Sequence, residues 1–235
     1  MKKYIGTKTI MAEPMTMGEA YEKNLLKAGR VPSEFQKNDK GYLVEYEGGY
    51  QSWSPADVFE KAYKVAETPL DRMLIEQKEE SDRYQKGAAF IKSPTFPKLK
   101  YLAKVLLSAQ NESQREYCYL LASRVADMSN ESVILSDFDF GTAVKLLKAG
   151  GAVRRAGWNG QGMFVIKQVP AHITEGVIPN MQSLPQIAKD ILMARKEPHI
   201  DYTNQMLIIH PDGRADSWVP SSSDVFANDW ELVVE

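Results

Sequence analysis

Ser217 to Trp230 reads SWVPSSSDVFANDW, which puts two tryptophans, three consecutive serines, two aspartates and a proline into fourteen residues. Arg214 to Val219 leads into it as a strand, Ser221 to Ser223 with Asp224 can start a helix, and Leu232 to Val234 is strand-like again. A second dense stretch, Val153 to Phe164 (VRRAGWNGQGMF), precedes it. Asn159-Gly160 is the strongest tight-turn signal in the chain, and Met163 to Val169 reads as the return strand. Upstream, Asp139 can cap a helix over Phe140 to Lys148 (FGTAVKLLK), which Gly150-Gly151 end. Between the two stretches, Pro170 to Tyr202 is long and mixed, with one short helix expected between Leu184 and Arg195. Met206 to His210 with Asp212-Gly213 and the strand at Arg214 makes a second hairpin.

The remaining chain divides by composition. Residues 1–66 read as a β-rich start (Tyr4 to Met11), a helix from Thr16 to Lys27 stopped by Gly29, and a hairpin of Tyr42 to Tyr46 and Tyr50 to Trp53 about Gly48-Gly49. A closing helix then starts at Pro55 with Ser54 as its cap. Residues 67–132 read as charged helix. Leu70, Leu74, Gln77, Ser81, Tyr84, Ala88 and Ile91 form one stripe, and Ser93 to Pro97 break it. Leu99, Leu102, Val105 and Leu106 make a second apolar face. Asn111 with Gln114 reads as a capping box for a third helix carrying Tyr117, Leu120, Leu121, Val125 and Met128. The segment is a helical hairpin or a three-helix unit. Residues 133–235 form the third part.

The first and third parts echo one another. MTMGEAYEKNLLKAG at Met15 to Gly29 parallels FDFGTAVKLLKAG at Phe138 to Gly150, and GGYQSWSPADVF at Gly48 to Phe59 parallels DGRADSWVPSSSDVF at Asp212 to Phe226. Both run helix, hairpin, then Ser-Trp-x-Pro ahead of Asp-Val-Phe. Duplication of a module and convergence on common turn chemistry both account for this.

The chemistry on offer favours binding over catalysis. The 29 basic and 31 acidic residues give a formal net charge of -2, so no global field draws the chain to nucleic acid or to a membrane surface. The single cysteine, Cys118, reads as a small core residue, and His172, His199 and His210 have no metal-ligand spacing. No apolar run approaches the roughly 18 to 20 residues of a membrane span or resembles a signal peptide. Gly157 to Gly162 lacks the Lys-Ser/Thr of a phosphate loop, and no nucleophile elbow or zinc histidine pair is present, so no catalytic residue is assigned and no metal or cofactor is expected. Trp158 and Trp218 can stack on a nucleobase, while Asn159, Asn204, Gln205, Ser221 and Asp224 supply amides, a hydroxyl and a carboxylate that read base edges and ribose. Arg154 and Arg155 alternate across a strand, so one of them can meet a phosphate and the other is solvated. The same residues admit packing roles: Trp158 as a helix lid, Trp230 and Phe226 as core, Ser221 as a cap, Asp229 facing water.

FGTAVKLLKAGGAVRRAGWNGQGMF, IDYTNQMLII and SWVPSSSDVFANDWELV together resemble the second type of Thoeris anti-defence protein, a family of small viral proteins that sequester cyclic ADP-ribose-like signals of bacterial TIR immunity. The resemblance covers Phe138 to Glu235. It implies an α+β unit with a helix packed on an antiparallel sheet, joined here to a helical middle segment and a small N-terminal α+β module. It also implies homodimers or homotetramers with pockets at subunit interfaces, in the cytoplasm of the bacterial host. Carried over by position, Trp158, Asn159, Met163 and Phe164 line one wall, and Asn204, Gln205, Trp218, Ser221 and Asp224 the other. The implied partner is a small nucleotide signal, a cyclic ADP-ribose isomer or a cyclic dinucleotide, held without cleavage, with no nucleic acid polymer and no membrane. The residues before Phe138 lie outside the resemblance; they look like uncharacterised phage proteins. A phage protein–protein interaction or assembly module with no small-molecule ligand is the alternative reading.

Overall fold

A computed structural model describes residues 8–133 and 135–234. It divides into two compact units with the boundary between Ile75 and Glu76. In the first, strands β1 (Met11–Thr16), β2 (Lys40–Glu45) and β3 (Gln51–Pro55) form an antiparallel sheet in the order β1-β2-β3. Helix α1 (Met17–Glu22) follows β1 directly, and helix α2 (Ala56–Ala62) follows β3. Met15, Met17, Ala20 and Val44 are buried. The Trp53 indole donates to the Met15 carbonyl at 2.9 Å and packs against Gly41, where a Cβ would overlap its ring.

Three expectations change here. The strand at the start is Met11–Thr16, and Tyr4 to Thr7 of the expected segment lie outside the described residues. The first helix stops at Glu22, well before Gly29. Asn24 takes the left-handed conformation (φ 54°), and the Leu25 and Asn24 amides donate back to the Ala20 and Tyr21 carbonyls, so asparagine ends the helix as a glycine would. Ser54 is not a cap, because it pairs with Tyr42 inside β3 while Pro55 occupies the cap position of α2. The Gly48-Gly49 turn is as expected, with both glycines at positive φ and the Tyr46 amide bonded to the Tyr50 carbonyl.

Helix α3 (Pro69–Ile91) and helix α4 (Tyr101–Met128) form an antiparallel hairpin: the Tyr117 hydroxyl donates to Glu76, and Asn111 packs on Gly87. The expected break at Asn111 is absent. Nothing between Tyr101 and Met128 is Gly or Pro, so the helix runs on, and Asn111 faces the partner helix, buried, with its Oδ1 unpaired. Leu102, Val105 and Leu106, read as an apolar face, are exposed, whereas Leu121 and Val125 are buried. The buried Glu116 carboxylate accepts from the Asp139 amide at 3.1 Å and so ties α4 to the start of the next helix.

That helix, α5 (Phe140–Lys148), is capped by Asp139 onto the Thr142 amide at 2.6 Å and ended by Gly150 (φ 96°), both as the sequence indicates. Strands β4 (Ala152–Arg155) and β5 (Phe164–Gln168) follow. The 170–202 segment holds strand β6 (Ala171–Thr174), helix α6 (Gln186–Met193) and strand β7 (His199–Tyr202), and β6 pairs with β7. The chain closes with β8 (Gln205–Ile209), β9 (Ala215–Trp218), the short helix α7 (Ser222–Val225) and β10 (Trp230–Val233). The main sheet is antiparallel in the order β10-β4-β5-β8-β9. Its core joins Phe138, Ala143, Leu147, Val153, Val165, Ala227 and Trp230, so α5 covers one face. Phe226, expected in this core, is 83% exposed: α7 is a single turn that buries Asp224 and leaves the next side chains outward.

Candidate functional site

Strand alternation decides which candidate residues can meet. Val165, Ile208, Met206 and Trp218 point toward α5, and the 156–163 loop folds Trp158 onto the same side. Trp158, Trp218 and Trp230 form a triangle of edge-to-face contacts with centroids 5.9, 6.1 and 5.6 Å apart. Trp230 is buried, while Trp158 and Trp218 are half-buried at the rim. Aromatic pairs at this spacing are held by quadrupole as well as by burial. The loop between β4 and β5 is not a two-residue turn on Asn159-Gly160. It spans eight residues, 156–163, and its positive-φ position is Gly162 (φ 80°). The Met163 thioether packs against Gly160, so a Cβ there would make that side chain shift.

Asp224 holds this arrangement together from within. Only 8% exposed, its carboxylate accepts from the Ser221 amide (2.9 Å), the Ser221 hydroxyl (2.6 Å), Arg155 Nη1 (3.0 Å) and the Trp158 indole (3.2 Å). Its main-chain carbonyl accepts the Trp230 indole at 3.0 Å. Burial alone would raise the carboxyl pKa, but the bonds from Ser221, Arg155 and Trp158 outweigh it and hold it at about 2. Asp229, expected to face water, instead accepts Arg155 Nε at 2.8 Å and the Gly157 amide at 2.9 Å. The bond from Arg155 lowers its pKa against the opposing effect of burial. Arg155 thus bridges two aspartates, and this one guanidinium fixes α7, the 156–163 loop and the approach to β10.

The remaining candidates fall elsewhere. Ser221 is the cap of α7, in a reciprocal box with Asp224. Asn159 and Asn204 are exposed, and Met163 is half-buried at the end of the loop. Phe164 and Gln205 lie on the opposite sheet face, where Phe164 pairs with Ile209, and Gln205 with Gln168. Arg154 is on that face too, exposed and bonded to Glu231 at 2.9 Å. One chain therefore does not bring all nine ligand candidates together. Asp229 and Trp230 are the members that the sequence reading left out of the site. Their signal was the Asn-Asp-Trp that closes the stretch, set against the charged pair at Arg154-Arg155 on the other. Burial pushes the Cys118 thiol up, the reverse of an activated nucleophile. His172 and His199 come together on either side of Asp201, with ring centroids 5.4 Å apart. Among the described residues, no group of three or more His, Cys, Asp or Glu is placed to hold a metal ion, and no helix is long and apolar enough to cross a membrane.

Two family models match separate stretches of the chain. The family model for the Thoeris anti-defense 2-like domain matches residues 138–233, and a second family model, Sequestin, matches residues 67–127. The protein named Thoeris anti-defense 2 of Bacillus phage SP01 is 33% identical over 97 residues, which span 40% of this chain and 92% of that relative. The shared region holds α5, the main sheet, the tryptophan triangle and the Arg155–Asp224–Asp229 bridge. The chain belongs to the Thoeris anti-defense 2 family.

Proposed function

We propose that residues 133–235 bind a nucleotide-derived immune signal and sequester it without cleaving it, as a counter-defence protein of phage or prophage acting in the host cytoplasm. The observation that carries this reading is the half-buried pair Trp158 and Trp218, braced by Trp230 and Asp224. Braced indoles offer rigid stacking surfaces at little entropic cost, and amides and hydroxyls at their edge supply directional contacts. A cyclic ADP-ribose isomer, two nucleotide-sized halves closed on each other, is the leading ligand, and a cyclic dinucleotide is the second class. Sequestration at low copy number calls for nanomolar affinity, about -12 kcal/mol.

The division of the carried-over residues between two sheet faces has a direct reading in this proposal. Phe164 and Gln205 of one copy and Trp158, Trp218 and Ser221 of another form the two walls, so a homodimer or homotetramer is the binding species. Arg155 is neutralised by its two aspartates, which leaves Arg154 as the freer phosphate contact. The exposure of Phe226 and of Val219, which follows Trp218, favours contact between copies, and it is also the observation on which a pure assembly module would rest.

The test is to incubate the purified protein with extract of cells whose TIR immunity has been triggered, wash it, denature it and identify what is released. Intact cyclic ADP-ribose isomer or dinucleotide supports sequestration. Release of cleaved products would replace it with hydrolysis, and release of nothing, with a host protein retained instead, would favour the assembly module.

A further inference from the structure

The N-terminal unit contains a cleft of about 450 Å³ that the proposed function does not use. Pro14, Met15, Thr16 and Glu19 from the β1–α1 junction form one side, Lys40 and Tyr42 of β2 the floor, and Glu60 of α2 the other side. Its size is that of a small-molecule site, for which about 300 to 1,000 Å³ is usual.

The hydrogen-bonding character of the lining is unequal. The Thr16 amide and hydroxyl both donate to Glu19 Oε2, at 2.7 and 2.8 Å, and the Tyr42 hydroxyl donates to Glu60 Oε1 at 3.1 Å. These donors are occupied inside the wall. Each carboxylate still has its second oxygen, Glu19 Oε1 and Glu60 Oε2, and both are fixed in place, one by the cap of α1 and the other by Tyr42. The exception is Lys40, an exposed amine on a flexible stem that can swing into water. The Tyr42 ring is held rigid by stacking on Phe59, 4.2 Å between centroids and 20° between planes. An acceptor-rich wall with fixed negative charge and an aromatic surface matches a ligand that brings donors, positive charge and a flat or apolar body.

We infer that this cleft binds a small organic cation with a guanidinium or ammonium head, held by Glu19 and Glu60 over the Tyr42 ring. The site lies wholly within residues 14–60 and stands or falls independently of signal binding by the C-terminal domain.

The experiment is calorimetric titration of the full chain with agmatine, arginine and AMP. Agmatine and arginine should bind, more weakly as salt rises, and AMP should not. Glu60→Gln and Glu19→Gln should each weaken agmatine binding about tenfold, since each removes a charge-assisted bond. Gln at position 19 still completes the cap of α1, so the fold is retained. No heat with either cation at millimolar concentration, tighter binding of AMP than of agmatine, or unchanged affinity in the Glu19→Gln/Glu60→Gln double variant would each overturn the inference.

Discussion

Substituting Asp224 with asparagine should reveal how much of the C-terminal domain hangs on one carboxylate. In the native protein its two oxygens receive four donors, and the pKa falls from the ordinary 3.8 to about 2. That displacement corresponds to about 2 kcal/mol of stability at neutral pH. Because the folded value is the lower one, the contribution is complete above pH 4 and disappears as pH falls through about 2. Asparagine keeps one acceptor and turns an N–H₂ toward the donors of Ser221 or of Arg155 and Trp158. The loss at pH 7 should therefore be about 2 to 3 kcal/mol, comprising the charge and one buried donor left unmet. Urea unfolding followed by tryptophan fluorescence measures it. In a Trp53→Phe background the emission comes from Trp158, Trp218 and Trp230 alone. The wild-type domain should lose about 2 kcal/mol more than Asp224→Asn between pH 5 and pH 2. The reasoning fails if the variant is within about 0.5 kcal/mol of wild type at pH 7, or if both proteins show the same acid slope in that window.

Asp229→Ala leaves Arg155 with one carboxylate and the Gly157 amide without its acceptor, so hydrogen exchange at Gly157 should accelerate about tenfold or more, with a stability loss of about 1 to 3 kcal/mol. Gly87→Ala puts a methyl where the Asn111 amide sits and should destabilise the helical hairpin by about 1 to 3 kcal/mol despite the better helix propensity of alanine. Adding Asn111→Ala should restore most of that, and thermal unfolding of the two single variants and the double variant gives the coupling. Phe226→Ser, at an 83% exposed position, should change stability by less than about 0.5 kcal/mol, and light scattering should show a smaller assembly if copies meet at Phe226.

The parts of the fold that could be read ahead were those where local chemistry has one outcome. Asp139 before an amphipathic run, Gly150 after it, and Gly48-Gly49 between alternating segments each had a single geometry to adopt, and each adopted it. The expectations that failed were those in which one residue type serves two purposes. Asn24 ended a helix in place of Gly29, and Asn111, which suits a cap, was used for tertiary packing against Gly87. Asn159-Gly160 suits a tight hairpin, but the loop was set by the packing of Met163 on Gly160 and by Asp229, which sequence spacing does not bring near it. The same limit applied to the site. Trp158, Trp218 and Asp224 stood out by type, whereas Asp229 became visible only once β10 lay beside β4. The face each strand residue takes also depends on register, and register places Phe164 and Gln205 away from the tryptophans.

The saturation of Asp224 changes how mutational data on this site must be read. All four donors to its carboxylate come from the domain itself, so loss of ligand on its substitution would follow from a collapsed frame as readily as from a lost contact. Asn159 and Asn204 separate the two cases, since both are exposed and are candidate ligand contacts. Asn159→Ala and Asn204→Ala should leave unfolding within about 0.5 kcal/mol of wild type while reducing signal affinity about tenfold each, the effect of one directional bond to a ligand. Trp158→Phe lies between them. It keeps a ring against Trp230 but loses the indole donor to Asp224, so stability and affinity should fall together. If the asparagine variants bind the signal as tightly as wild type while Asp224→Asn does not, the ligand lies elsewhere, and the tryptophan triangle is a core feature rather than a binding surface.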